Sequence, residues 1–423
     1  MVRRAPLNPC SSNTSAAART MICLVLAARS GWDMVNLAIP STTKRASSIF
    51  AAQATLHQGI EPVRIRALPR EGDSLMRAIA TESTLNELTP SPGNQSSREF
   101  AARQRAGGWC RPDTDAPPPT TSALTSTVPR QYVHRAALAE VFLTKISNVG
   151  PASYRVSAQW PRWHALYGPR GGLIDPMLAS ETVRQTIPLL SHTAFDVPLG
   201  HVQSWEHIYL RINRKALRAE MTPPEIELRI RSRDTVLRGK RLGATTLDVL
   251  ILRDNTLLGS AEARFACHTP LIYKRLRGAF AGVDPLALVA SLPQLPPVEP
   301  HLVGRDRAED VVLSPADEPH RWQLRVDPTH PILFDHPVDH APGMLLLEAA
   351  RQAAQAVCAP ESTVLLSLDS AFTRYVELDS PCWIEAEPLS TNAQGSSLTL
   401  ITGRQNGDVA FRARVTTAPL ADA

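Results

Sequence analysis

No two of the six cysteines in this 423-residue chain stand close enough to share a metal. Cys10, Cys23, Cys110, Cys267, Cys358 and Cys382 offer neither CxxC nor any other ligand spacing, which excludes a zinc-finger or cluster site read from sequence. Three of them fall in the part that reads as folded, an odd number, which fits reduced thiols in a cytosol. Long apolar runs are also missing: nothing approaches the roughly 18 residues of a membrane span. Met21–Ala28 is a short apolar stretch behind several arginines, but it starts late and lacks a small-residue cleavage site, so it is not read as a secretory signal. Concentrated charge is lacking too, because the net +5 comes from scattered residues rather than a basic tail. That argues against nucleic acid and leaves room for acidic partners such as phosphates or a carrier protein. The expectation is a cytoplasmic protein with no membrane contact, no metal and no cofactor.

Length allows two or three domains with real cores. Residues 1–125 are dominated by Ser, Thr, Ala, Pro and Arg, without a sustained period of 2 or 3.6. They bury too little apolar surface to offset chain entropy and read as a disordered or non-native extension. Order begins near Val128. Alternation at Tyr154, Val156 and Ala158 marks a strand. Asp175-Pro176 caps and opens a helix that Pro188 is expected to stop. Period-two runs follow at Ile208–Ile212 and Ile226–Ile230, then strands at Leu247–Leu252 and Leu257–Cys267 joined by an Asp254-Asn255 turn. Residues 276–310 are Pro-rich and read as a linker between domains at 126–275 and 311–420. The same order then returns: a strand at Arg321–Val326, a helix at Pro342–Val357, strands at Val364–Phe372 and Trp383–Glu387. A hairpin from Leu398–Thr402 to Val409–Val415 closes it across Asn406-Gly407.

A phrase occurs twice. Leu178-Ala-Ser-Glu181-Thr-Val-Arg184-Gln185 and Leu345-Leu-Leu-Glu348-Ala-Ala-Arg351-Gln352 share Leu-x-x-Glu-x-x-Arg-Gln, 167 residues apart (348 − 181). Each lies in an apolar helix ahead of alternating strands, the mark of a duplicated module. Helices segregated from an antiparallel meander make the class α+β. One long helix wrapped by a curved antiparallel sheet is the hotdog arrangement, so the expectation is a tandem hotdog forming an intrachain pseudo-dimer, with further association of chains left open. In the second helix Glu348, Arg351, Gln352 and Gln355 follow i, i+3, i+4, i+7 and share one stripe on an otherwise apolar cylinder. A buried carboxylate needs a partner, and an arginine three residues on supplies one. The loop before it, Phe334-Asp335-His336-Pro337-Val338-Asp339-His340-Ala341-Pro342-Gly343, carries two Asp-His pairs, and a metal site there has only composition in its favour. At Gly343 the unpaired amides of the helix start can polarise a carbonyl oxygen.

Pro342-Gly343-Met344-Leu-Leu-Leu-Glu348-Ala-Ala-Arg351-Gln352 resembles the active-site helix of hotdog acyl-carrier-protein dehydratases. More closely, the stretch from about Val128 to Pro419 resembles the A-factor biosynthesis family. The further matching phrases are Val133-His134-Arg135, Asp196-Val-Pro198, Val303-Gly304-Arg305, Phe334-Asp-His-Pro337 and Asp339-His340. The resemblance implies an acyltransferase of γ-butyrolactone autoregulator synthesis. It would move a β-ketoacyl group from acyl carrier protein to a hydroxyl of dihydroxyacetone phosphate. It also implies Glu181, Glu348 and Arg351 as catalytic residues. Dehydratases carry a histidine eight residues before Pro-Gly. Position 334 is Phe here, and His336 and His340 are the nearest substitutes, which argues against simple dehydration.

The mechanism expected from these residues has Glu348, or Glu181 across the pseudo-dimer, as general base. Arg351 binds phosphate or orients the carboxylate, and Gly343 holds the oxyanion, with His336, His340, Gln352 and Arg184 contacting substrate. Because the first copy has Asp175-Pro176-Met177 in place of Pro-Gly, the second is expected to be the principal centre. Two alternatives stand beside it: a hotdog thioesterase or dehydratase acting on acyl thioesters, and a non-catalytic acyl- or lactone-binding protein.

Overall fold

Among the described residues, twelve strands form one antiparallel sheet whose order is the same read from either edge. The computed structural model describes residues 126–420, apart from 240, 285, 287–291 and 293. The expectation for residues 1–125 lies outside the described residues. The first half runs β1 (Leu143–Gly150), β2 (Ser153–Gln159), α1 (Met177–Thr193), β3 (Val202–Ile212), β4 (Glu225–Arg238), β5 (Arg241–Arg253), β6 (Thr256–His268) and α2 (Pro270–Arg277). The second runs β7 (Leu313–Pro315), β8 (Arg321–Leu324), α3 (Gly343–Cys358), β9 (Thr363–Phe372), β10 (Cys382–Thr391), β11 (Ser397–Gln405) and β12 (Asp408–Pro419). The sheet order is β1-β2-β4-β5-β6-β3-β9-β12-β11-β10-β8-β7. Matching β1 with β7 and so on to β6 with β12 turns one half into the other about an axis between β3 and β9. There His207 pairs with Ala371 and Arg211 with Ser367. The tandem hotdog is thus built as expected.

The local chemistry behind these elements is direct. Asp254-Asn255 (φ 49° and 62°) and Asn406-Gly407 (φ 53° and 83°) both take the left-handed pair that a two-residue hairpin needs, which fixes the β5–β6 and β11–β12 registers. Each helix packs on strands of its own half, and α1 and α3 touch. Leu178, Ile187, Leu189 and Leu190 on α1 and Leu345, Leu347, Ala349 and Ala353 on α3 are buried. Each large side chain among them contributes roughly 1.5–3 kcal/mol by leaving water.

Three expectations change. Pro188 does not end α1, which continues to Thr193. Its missing N–H leaves one helix bond unmade, but its neighbours Ile187, Leu189 and Leu190 are buried in the core, and tertiary burial outweighs local propensity. The Pro-rich linker is shorter than 276–310. The Val298 amide bonds the Leu313 carbonyl as Val128 bonds Leu143, and the 3-10 turns at Pro300–Val303 and Ala308–Asp310 repeat those at Arg130–Val133 and Leu138–Glu140. The second module therefore starts by Val298. Finally, β1, β7 and the short helix α2 were not foreseen. For α2 the signal was legible, since the Thr269 hydroxyl accepts the Ile272 amide ahead of Pro270.

At the seam, His207 on β3 places Nε2 2.7 Å from Asp369 on β9 and Nδ1 3.5 Å from Glu262 on β6. Burial opposes protonation, but both carboxylates outweigh it and raise the imidazole to about 9. A raised value means that this stabilisation is complete below the ordinary 6.5 and is lost as pH rises through about 9. Melting temperature should fall across that window, and His207→Gln should remove this component. A pH series of thermal melts checks it.

Candidate active site

The repeated stripe is a buried ion network, built twice. Glu348 is fully buried and receives Arg305 Nε at 2.8 Å, Arg305 Nη2 at 2.7 Å, Arg351 Nη2 at 2.8 Å, Arg351 Nε at 3.1 Å and Gln352 Nε2 at 2.7 Å. Glu181, 1% exposed, receives Arg135 Nη2 at 2.6 Å, Arg184 Nε at 3.0 Å and Gln185 Nε2 at 2.7 Å. The surroundings repeat as well. Arg184 and Arg351 donate to the Val133 and Val303 carbonyls. Gln185 and Gln352 accept the amides of Phe142 and Val312 and donate to the carbonyls of Glu140 and Asp310. Each network also crosses the pseudo-axis. Arg135 of the first half donates to the Ile332 carbonyl of the second, and Arg305 of the second donates to the Leu166 carbonyl and Asp175 of the first.

This geometry bears directly on the role expected of Glu348. Burial pushes its carboxyl up, but Arg305 and Arg351 outweigh that and hold it at about 2. Five donors on two oxygens take up its lone pairs within the network. Arg351 orients that carboxylate, and Gln352 ties it to Asp310. Glu181 differs in one respect. Its Oε1 takes most of the donors while Oε2 takes only Arg184 Nε, at 3.1 Å, so one acceptor position is spare. Neither of the two described cavities opens on either glutamate. One, with room for about 30 Å³, lies among Leu295, Leu324, Val376 and Cys382; the other, about 10 Å³, among Val311, Leu333, Phe334 and Leu345.

The loops facing the networks are where the halves diverge. His164 and His330 are equivalent: each Nδ1 accepts the amides two and three residues on, and each ring meets an acid, Glu140 or Asp310. Six residues further stand Arg170 in the first loop and His336 in the second. Asp335, its side chain fully buried, accepts the amides of Ala136 (2.6 Å) and Ala137 (2.9 Å), which seats the second loop beside the Glu181 network. It also meets His336 Nδ1 at 3.2 Å, leaving Nε2 of that ring uncommitted. Nearby, His134 Nε2 lies 2.8 Å from His192 Nε2, and His192 Nδ1 is 2.6 Å from the Val197 carbonyl. Burial first, then His192, Arg184 and His336, lower His134 to about 3, so it stays neutral. In the Glu348 network the position of His134 is Gly304, with the same left-handed backbone (φ 50° and 65°).

The helix starts diverge too. Asp175 Oδ1 accepts the Met177 amide at 2.9 Å, so the α1 start is capped from within. At α3 the Leu345 and Leu346 amides bond the Pro342 carbonyl, which leaves the Gly343 and Met344 amides as the donors ahead of the first helical bonds. Trp205 of β3 lies against Gly343 and leaves no room there for a β-carbon. His340, expected to touch substrate, is held by Asp339 at 2.8 Å, and Asp339 in turn by Tyr273 and Arg277 of α2. That cluster clamps α2 to the loop.

Compared with known proteins, residues 118–269 and 287–421 match the model of the A-factor biosynthesis hotdog domain. The chain belongs to this family. A 2-oxo-3-(phosphooxy)propyl 3-oxoalkanoate synthase of Streptomyces virginiae is 42% identical over 299 residues, 71% of this chain and all of that one. The synthase of the same name from Streptomyces griseus is 35% identical over 283 residues, 66% of this chain and 92% of its own. Among solved structures, a putative oleoyl thioesterase of Lactobacillus plantarum aligns with a TM-score of 0.39 at 10% identity, over 65% of this chain and 99% of that one. In this member of the A-factor biosynthesis hotdog family, sequence reading found both glutamates and their helix arginines but missed Arg135, Arg305, Arg170, His134, His192 and Asp335. The phrases Val133-His134-Arg135 and Val303-Gly304-Arg305 held the signal for the first two, because both arginines stand at the same place in the repeat.

Proposed function

We propose that this chain is an acyltransferase of γ-butyrolactone autoregulator synthesis that joins a β-ketoacyl group to the hydroxyl of dihydroxyacetone phosphate. The observation that carries the function is similarity over the full length of a synthase whose name describes that ester. The site reading rests on the asymmetry between halves. Chemistry is placed where the Glu181 network meets the second loop and the α3 start, because there a histidine faces the network and the helix amides are open. Arg305 spans from Glu348 to Asp175 at the start of α1, and Arg135 reaches from Glu181 to the Ile332 carbonyl in the loop that leads to α3.

His336, oriented by Asp335, takes the proton from the acceptor hydroxyl as its oxygen attacks the thioester carbon. Glu181 holds Arg135, which fixes the loop carrying His336 through the Ile332 carbonyl. The developing oxyanion is held by the Gly343 and Met344 amides. The C–S bond then breaks, and the imidazolium returns its proton to the departing thiolate. No serine or cysteine is needed as a nucleophile, and the acyl group passes directly between substrates.

The donor's carrier is read as acyl carrier protein, an acidic partner. The outer face of α2 supports this: Leu271 (73% exposed) and Leu276 (42%) sit with Lys274 and Arg275 on a helix whose inner face clamps the catalytic loop. Lys274→Glu with Arg275→Glu should raise KM for the carrier-bound donor about tenfold or more while leaving KM for the phosphorylated acceptor unchanged, as steady-state kinetics would show. The activity itself is tested by supplying β-ketoacyl carrier protein and dihydroxyacetone phosphate and following products by mass spectrometry. The phosphorylated ester is expected. Free β-keto acid alone would make the protein a thioesterase instead.

A further inference from the structure

At one end of the first half, apolar side chains and unpaired cations stand in water together. Strand β4 leaves β2 after Arg231 and continues with β5 as a two-stranded ribbon, with Leu237 opposite Leu242 and Arg238 opposite Arg241 at its tip. The ladders set that tip beside the starts of β3 and α2, because Ala244 pairs with Ala266, Val202 pairs with His268, and α2 opens at Pro270. Past two register shifts, Val236 (49% exposed) and Leu237 (57%) both lie outside the core. Leu199 ahead of β3 and Leu271, Ile272 and Leu276 of α2 are exposed at the same end. Apolar groups so concentrated mark a surface that another molecule covers. Arg238 and Arg241 at the tip and Lys274 and Arg275 on α2 are exposed and form no ion pair among the described residues. Nearby acids offset this only in part. Asp234 is held by Arg233, which also takes Asp248 and Glu262, and Asp196 and Asp284 alone remain on the flanking loops, two acids against four cations. The corresponding end of the second half differs. Its β10–β11 tip, Thr391-Asn392-Ala393-Gln394-Gly395-Ser396-Ser397, is uncharged, and Glu361 and Glu387 are exposed at that end.

We propose that the β4–β5 tip and α2 form one docking surface for an acidic carrier protein, so that each chain seats a single carrier despite its two modules. The inference rests on the proposed function, whose donor arrives on such a protein, and adds the second docking element and the number of seats. An acidic helix with an apolar stripe matches the surface: its carboxylates meet the four cations, and the stripe covers Leu199, Leu237 and Leu271. The elements that carry the surface also touch the place of chemistry. Trp205 of β3 lies against Gly343, and Arg277 of α2 donates to the Asp339 carbonyl in the loop before α3. Internal symmetry would offer a second seat at the other end, but an uncharged tip flanked by glutamates repels the same partner.

Calorimetric titration of the full chain with holo acyl carrier protein tests it. One carrier per chain is expected, bound at least tenfold more weakly by Arg238→Glu/Arg241→Glu, and more weakly by the wild type as salt rises. Leu237→Ser should also weaken binding, through the apolar part of the surface. Lys145→Glu/Lys215→Glu makes the same change in net charge on β1 and on the turn after β3, and should bind as the wild type does. Thermal melts establish that each variant is folded. Two carriers per chain, or an equal loss in both double variants, would overturn the proposal. So would binding to anionic phospholipid vesicles through the tip with none to the carrier. Ester formation from β-ketoacyl pantetheine, a donor without the protein, separates this surface from the function. Arg238→Glu/Arg241→Glu should keep the wild-type rate with that donor and lose rate with the carrier-bound one. A wild type that makes ester while the tip variant binds carrier normally sinks the surface and spares the function. One that binds carrier through the tip but makes no ester from either donor does the reverse.

Discussion

Replacing Arg305 with Met should lower folding stability by about 3–5 kcal/mol, the range for breaking a buried ion pair from one side. The loss is large because one side chain serves three elements: it holds Glu348 of α3, the Leu166 carbonyl and Asp175 at the start of α1. Removing it leaves a buried carboxylate with fewer donors and cuts a link between the halves. Urea unfolding followed by circular dichroism measures the effect, and a loss below about 1 kcal/mol would mean that the network does not hold the halves together. A cycle with Glu348→Gln should be sub-additive, since either change breaks the same network. The sign with pH follows from the depressed carboxyl. Its stabilisation is complete above the ordinary 4.5 and disappears as pH falls through about 2, so the wild type should resist acid further down than Arg305→Met does.

His336→Gln is expected to reduce ester formation by roughly 10²–10⁴-fold, the usual contribution of a positioned proton-transfer group. Its side chain is 42% exposed and makes one side-chain hydrogen bond, to its neighbour Asp335, so the melting temperature should barely move. The loss should fall on kcat rather than on either KM, because the ring acts on the hydroxyl proton during attack and not on the phosphate or the acyl chain. Initial rates at saturating donor and acceptor report this directly.

Much of the architecture was legible in the residues because it was written twice. The Leu-x-x-Glu-x-x-Arg-Gln phrase announced the duplication, and alternating strands with two left-handed turns supplied the meanders. What escaped has physical reasons. Pro188 breaks helices in isolation, and only the surrounding core explains why α1 continues. Arg305 was hidden in a proline-rich stretch that reads as a linker until its 3-10 turns are matched to those at 130–140. The stripe on α3 was correctly seen as polar and buried, but whether a buried Glu–Arg pair is free or saturated depends on residues over 40 positions away. The equivalence of His336 with Arg170 could not be read from two loops of unlike sequence, and it emerges from the shared geometry of His164 and His330. The contact of Trp205 with Gly343 is likewise a product of the fold.

The deciding measurement sets ester formation beside thermal stability in two proteins, His336→Gln and Glu348→Gln. A proton acceptor at His336 and a charge anchor at Glu348 predict that the first loses turnover with an unchanged melting temperature, while the second loses stability together with turnover. A Glu348→Gln protein that melts like the wild type yet makes no ester, or a His336→Gln protein that works at the full rate, would contradict this assignment.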